Sequence, residues 1–140
     1  VIRFMNRFTI IILGVMFFPL LAFAQYEEAF CDSVYDHWNK PSGFTEHPDL
    51  PEIEGGLVSI HNNLVYPDSA IKAGLEENIK VWLIVSKKGI PECIRFVELE
   101  NDIFKPTILN AINKQKFKPV IVNEKPVDRP LLIPFNFKLK

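Results

Sequence analysis

Little in this sequence supports chemistry. It has only two cysteines, Cys31 and Cys93, and three histidines, His37, His47 and His61, which are ten and fourteen residues apart. That spacing matches no metal-ligand pattern, and neither cysteine has a neighbouring histidine to activate it as a nucleophile. Asp36 and His37 are adjacent, which reads as a solvated pair rather than an acid/base couple. Catalysis, a metal centre, a cofactor and a small-molecule substrate are therefore not expected. Basic clusters interleaved with aromatics are also missing, which excludes nucleic acid as a partner. There are no internal repeats and no low-complexity tract. At 140 residues the chain holds one compact domain and not two.

The first 24 residues stand apart from that domain. Arg3 and Arg7 precede an apolar run that begins at Phe8, and Ala22-Phe23-Ala24 leads into Gln25. This is the layout of a secretory signal, with small residues at −3 and −1 of a cut between Ala24 and Gln25. The competing expectation is an uncleaved anchor, leaving the protein tethered to the inner membrane and facing the periplasm. The stretch Phe8 to Ala24 has 17 residues, at the lower edge of what spans a bilayer. Pro19 beside a good cleavage site favours removal, and so a periplasmic protein. After removal, 14 basic side chains face 17 acidic ones, a net charge of −3. The distribution is uneven. Gln25 to Leu64 carries eight acidic residues against one Lys, and Val65 to Lys140 carries 13 basic against nine acidic. An acidic lead joined to a basic domain suggests self-association, including a homodimer, or a partner for one half.

Residues 25–50 form an acidic extension that holds Tyr26, Phe30, Tyr35 and Trp38, more aromatics than a disordered linker spends. Phe30, Tyr35 and Trp38 are expected either on one side of a short helix or in a segment that packs on the domain. Residues 51–140 read as the domain. Leu57, Ile60, Leu64 and Val65 recur at helical spacing. Pro67-Asp68-Ser69 starts a second helix that Gly74 stops. Ile79 to Val85 and Glu92 to Leu99 alternate around the Lys87-Lys88-Gly89 turn, the mark of a β-hairpin. Asn101 or Asp102 is positioned to cap a helix near Ile103, and Pro106 confines that helix's first turn. Val120-Ile121-Val122 turns at Asn123-Glu124. A last strand then places Ile133, Phe135, Phe137 and Leu139 on one face, and Pro134 requires a free edge or a bulge there. The order helix, strand, strand, helix, strand predicts an α+β two-layer fold. An antiparallel three-stranded sheet, with a short extra strand, carries two main helices on one face.

That order and its punctuation resemble the TonB C-terminal domain family. Tyr66-Pro67 before a short Ala-containing helix is similar to the family's opening. The hairpin on Lys-Lys-Gly, Phe117-Lys118-Pro119, and the closing Pro134-Phe-Asn-Phe137-Lys-Leu139 follow in family order. Pro51-Glu-Ile-Glu-Gly-Gly56 resembles the lead of Bacteroidetes-type stand-alone members. Two turns depart from the pattern: Glu77-Asn78 replaces a Gly before the first strand, and Asn123-Glu124 replaces Asp-Gly. The family's membrane helix and Pro-rich spacer have no counterpart in the roughly 40 residues between Gln25 and Tyr66.

The resemblance implies a protein-binding module that pairs a segment of an outer-membrane transporter with a sheet edge. The strand containing Leu131, Leu132, Ile133, Pro134, Phe135, Asn136 and Phe137 is the candidate edge. The alternative is a structural or assembly module of the envelope that couples to no transporter. Alternation also sends Trp82, Ile84, Cys93 and Val97 to the face away from the helices. Trp82 and Ile84 there are a candidate interface. The two cysteines allow one disulfide or two unpaired thiols. A Cys31–Cys93 disulfide would close a loop of about 60 residues and add roughly 4 kcal/mol on the chain-entropy account.

Overall fold

The structure is a computed structural model and describes residues 28–39 and 49–140. The chain divides into two compact units, residues 1–46 and 47–140. In the first unit, residues 28–38 form helix α1. Its less exposed stripe is Cys31, Val34, Tyr35 and Trp38, at the three-to-four spacing of one helix face, while Phe30 is 55 % exposed and lies off it.

The second unit runs β1 (Glu52–Ile53), α2 (Gly56–Asn62), α3 (Asp68–Lys72), β2 (Glu77–Val85) and β3 (Pro91–Glu98). It continues through a 3₁₀ turn (Asp102–Phe104), α4 (Lys105–Lys114), β4 (Phe117–Lys118), β5 (Val120–Val122), β6 (Lys125–Val127) and β7 (Arg129–Phe137). The fold is α+β, and its main sheet is antiparallel with strand order β3-β2-β7. Two short ladders supplement it, β1 with β4 and β5 with β6. The first shows what the Pro51–Gly56 lead does: it adds a two-residue strand onto the Phe117-Lys118 segment.

Alternation builds the core. Ile79, Val81, Leu83 and Val85 of β2 are buried with Ile133, Phe135 and Phe137 of β7. They pack with Ala70 of α3 and with Phe104, Ile108, Ala111 and Ile112 around α4. Each of the Val, Leu, Ile and Phe side chains contributes about 1.5–3 kcal/mol on leaving water. Ile94 and Phe96 of β3 join from its edge. Strand β3 is irregular, with register shifts between Lys80 and Val81 and between Trp82 and Ile84. The second shift sets Cys93 and Ile94 against Leu83 alone, and Cys93 takes a φ of 50°, a left-handed conformation typical of a bulge.

Several local expectations change. Helix α2 ends at Asn62, so Leu64 and Val65 fall outside it, and Ile60 is its one buried residue. Asn101 does not cap the helix with its side chain. Its Nδ2 instead donates to Glu77 Oε2 at 3.0 Å. Glu77 also accepts from the backbone N–H groups of Glu100 and Asn101. A buried carboxylate thus stands where a glycine was the family habit, tying the end of β3 to the start of β2. Pro106 does sit in the first turn of α4, with the 3₁₀ turn ahead of it. The last strand stops at Phe137. Leu139 is 37 % exposed, and its N–H donates to Glu76 Oε1 at 2.7 Å instead of to a ladder. The β5–β6 turn holds both Asn123 and Glu124 at positive φ, 49° and 64°, the two-residue geometry for which Asn-Gly is preferred.

The β2–β3 turn is closed by Gly89 N–H to Ser86 O at 2.8 Å and packs on the segment after α4. Gly89 has φ +74°, and a Cβ there would lie 2.4 Å from Phe117 O. Gly89→Ala is therefore expected to destabilise the full chain by more than about 1 kcal/mol, read as a lower urea midpoint with unchanged slope. Glu77→Ala, which leaves two backbone N–H groups and an amide without their acceptor, should cost about 1–3 kcal/mol in the same assay.

Candidate partner-binding edge

Strand β7 pairs with β2 over nine positions in unbroken register, from Glu77↔Phe137 to Val85↔Arg129. The alternation of its sequence explains why. Leu131, Ile133, Phe135 and Phe137 are buried toward the helices, while Leu132 is 46 % exposed and Pro134 and Asn136 are exposed. Slipping by one residue would turn four large apolar side chains out of the core. Two prolines lie at even positions, Pro130 facing Ile84 and Pro134 facing Lys80. In an antiparallel ladder, facing residues alternate between those that exchange hydrogen bonds and those that do not. Since proline has no N–H, an unbroken register puts both prolines at the non-exchanging positions. Their backbone groups, and those of Leu132 and Asn136, therefore point away from β2. The bulge allowed for at Pro134 is absent, and among the described residues β7 has a free edge.

The other side of β7 has no strand among the described residues. Along it the amide donors are Leu132 and Asn136, with carbonyl acceptors at Pro130, Leu132, Pro134 and Asn136. Helix α2 borders this edge. His61 Nε2 lies 3.2 Å from Pro134 O; a carbonyl only accepts, so that ring nitrogen carries the hydrogen. The His61 ring meets Phe135 edge-on at 6.0 Å between centroids. One turn back on the same helix face, Leu57 is 44 % exposed.

Tyr66 supports the far end of β7. Its ring stands edge-on to Phe137 at 5.3 Å and to Phe104 at 6.1 Å, and its hydroxyl donates to Leu75 O. Thr107 Oγ1 on α4 donates to Val65 O and accepts Val65 N–H, holding the Tyr66-Pro67 corner against α4.

The remaining candidate residues lie elsewhere. Trp82 and Ile84 of β2 are buried, 2 % and 6 % exposed, and belong to no part of the cluster that β2 forms with the helices. Neither Cys31 nor Cys93 is free: each is disulfide-bonded. Ala24 and Gln25 fall outside the described residues. Among the described residues no group of three or more His, Cys, Asp or Glu is placed to hold a metal, and no helix is long and apolar enough to cross a membrane. Sequence reasoning missed His61 as part of the edge. Its only signal is the four-residue spacing from Leu57, because the contact itself spans 73 residues.

The family model described as Gram-negative bacterial TonB protein C-terminal matches residues 62–139, more than half of the chain. The chain belongs to this TonB C-terminal family. Among solved structures, the solution NMR structure of the Pseudomonas aeruginosa TonB C-terminal domain is similar at 28 % identity, covering 55 % of this chain and 79 % of that one with a TM-score of 0.47. Nothing among curated proteins matches the chain. As a TonB-type domain it is a protein-interaction module. The matched stretch includes Tyr66-Pro67, the Lys87-Lys88-Gly89 turn, Phe117-Lys118-Pro119 and all of β7. It begins at Asn62, so His61 and Leu57 precede it.

Loss of solvent, and secondarily the Glu76 carboxylate, raises the Tyr66 phenol above its ordinary value of 10.0. The folded chain then holds this proton to higher pH than the unfolded chain does. The contribution is fully present below about pH 10 and is lost as pH climbs through the raised folded value. Thermal melts of the full chain should therefore stay level up to that pH and decline above it. Tyr66→Phe should lower stability at neutral pH, by loss of the bond to Leu75 O, and should make the alkaline decline shallower.

Proposed function

We propose that this chain is an exported, non-enzymatic TonB-like module of the periplasm. It takes up an extended segment of an outer-membrane transporter or another envelope protein along the outer side of β7. The observation that carries this reading is the nine-residue strand paired on one side only among the described residues, with the backbone groups of Leu132 and Asn136 pointing outward. Strand addition draws affinity from such main-chain bonds and selectivity from alternate side chains. Family membership supports a protein partner, and the secretory layout before Gln25 supports the compartment. Leu132, Pro134 and Asn136 carry the contact in this proposal, with Leu131, Ile133, Phe135 and Phe137 holding the strand in place from the core side. Trp82 and Ile84 take no direct part.

Photo-crosslinking in the intact envelope tests it, with a photoreactive residue at Asn136 of the full chain. Capture of an outer-membrane transporter through an extended segment is the expected result. Capture only of the protein's own N-terminal segment, or only of a second copy, would overturn strand addition and favour a structural or assembly role.

A further inference from the structure

The outer edge of β7 is a discontinuous template. Of three successive outward positions, Leu132 and Asn136 can both donate and accept, while Pro134 between them can only accept. A partner strand laid here, in either direction, would leave one of its own carbonyls facing Pro134 with no donor. A carbonyl orphaned in the middle of a ladder loses its water without gaining a donor, which undoes much of the gain from the bonds on either side. Natural sheets use edge prolines in this way to discourage pairing.

A donor nevertheless stands beside the gap. His61 Nε2–H already reaches the Pro134 carbonyl at 3.2 Å, on the side of the strand that faces away from β2. Its side chain is exposed, and α2 is anchored independently of it. Ile60 is fully buried, Ser59 Oγ meets Gln115 Oε1 at 3.2 Å, and Gln115 Nε2 donates to Glu54 O at 2.7 Å. The imidazole can therefore turn while the helix stays fixed.

We infer that His61 supplies the hydrogen bond that Pro134 cannot. Its Nε2–H turns from the Pro134 carbonyl to the partner carbonyl that faces it, so the edge is completed by a side chain of α2. This rests on the strand-addition reading above and adds the residue that decides what the edge accepts. The partner is an extended peptide segment. On its helix-facing side, an apolar residue lies against Leu57 and the His61 ring. Its flank is acidic, since the chain from Arg129 to Lys140 carries Arg129, Lys138 and Lys140 and no Asp or Glu. Strands offering a bulky charged group toward α2 are refused. His61 is a positioning residue of the TonB-type edge, contributed from before the family-matched stretch.

The test uses the full chain and a synthetic peptide with the sequence of the segment captured at Asn136, with binding measured by calorimetry. His61→Ala should weaken binding about three- to tenfold, the value of one hydrogen bond. His61→Gln, which keeps an N–H donor on a side chain of similar reach, should bind within about twofold of the unaltered chain. The deciding measurement is Pro134→Ala placed on His61→Ala. The substitution restores a backbone N–H at the gap and should recover the lost affinity. If His61→Ala binds as tightly as the unaltered chain, or if Pro134→Ala does not rescue it, the inference is wrong while strand addition stands. If the unaltered chain binds no such peptide and Asn136 captures no partner, strand addition itself falls, and this inference with it.

Discussion

The antiparallel ladder between β2 and β7 is the constraint on which the rest of the structure hangs. It joins residues more than forty positions apart at its narrowest, Val85 with Arg129, and so closes the main sheet. Everything between the two strands is organised by that closure. Strand β3 folds back on β2 through a local turn, α4 returns across one face, and the β5–β6 hairpin fills the remaining distance to β7. Long closures cost chain entropy that only buried area can offset. The offset is visible in the continuous row of Ile79, Val81, Leu83 and Val85 against Leu131, Ile133 and Phe135, which are nearly solvent-free. With no shift in register over nine pairs, the two strands act as one rigid plank.

Rigidity on the inner side is what sets the pattern of the outer side. Because the core fixes which residues of β7 face inward, it also fixes which backbone groups face outward. Prolines at 130 and 134 fall on the outward set for the same reason that Leu131 and Ile133 fall on the buried one. A strand with a different parity of prolines would have broken its own ladder with β2. The outer edge consequently has its donors thinned without loss to the fold. That combination protects against indiscriminate pairing and leaves a partner only two full anchoring points.

Much of the architecture was legible before the fold was known, and the reason is physical. Period-two alternation at Ile79–Val85 and Ile133–Phe137 fixes both strand type and facing. Helix punctuation at Pro67, Gly74 and Pro106 fixes where helices begin or stop. The failures share another cause: side chains with two credible employers. Asn101 is a good cap by local rules, yet Glu77, 24 residues earlier, claims its amide. Leu139 continues the alternation, yet Glu76 takes its N–H and the strand ends at Phe137. Leu64 and Val65 fit a helical stripe, yet Thr107 holds the Val65 backbone in another conformation. Local pattern carries no information about such long-range competitors. The edge followed the same division: its strand and its prolines could be read from sequence, and its histidine could not.

His61 shows why that division matters for the proposed function. Residues of β7 are placed by burial, which sequence reports well. A polar side chain that acts across a gap is placed by the helix that bears it, and α2 owes its position to Ile60 and to Gln115 on another element. Its Nε2 finds the Pro134 carbonyl because two separately anchored elements meet there. Gly55, with φ 80°, sets the start of α2, and a side chain there would press on Ser59, so the lead segment aims the helix as well as capping the β4 ladder. A TonB-type domain with the same β7 and a different lead would present the same discontinuous edge with nothing beside the gap. On the strand-addition proposal, binding selectivity in such domains changes through residues that precede the matched fold, while the core, the ladder and the prolines stay as they are.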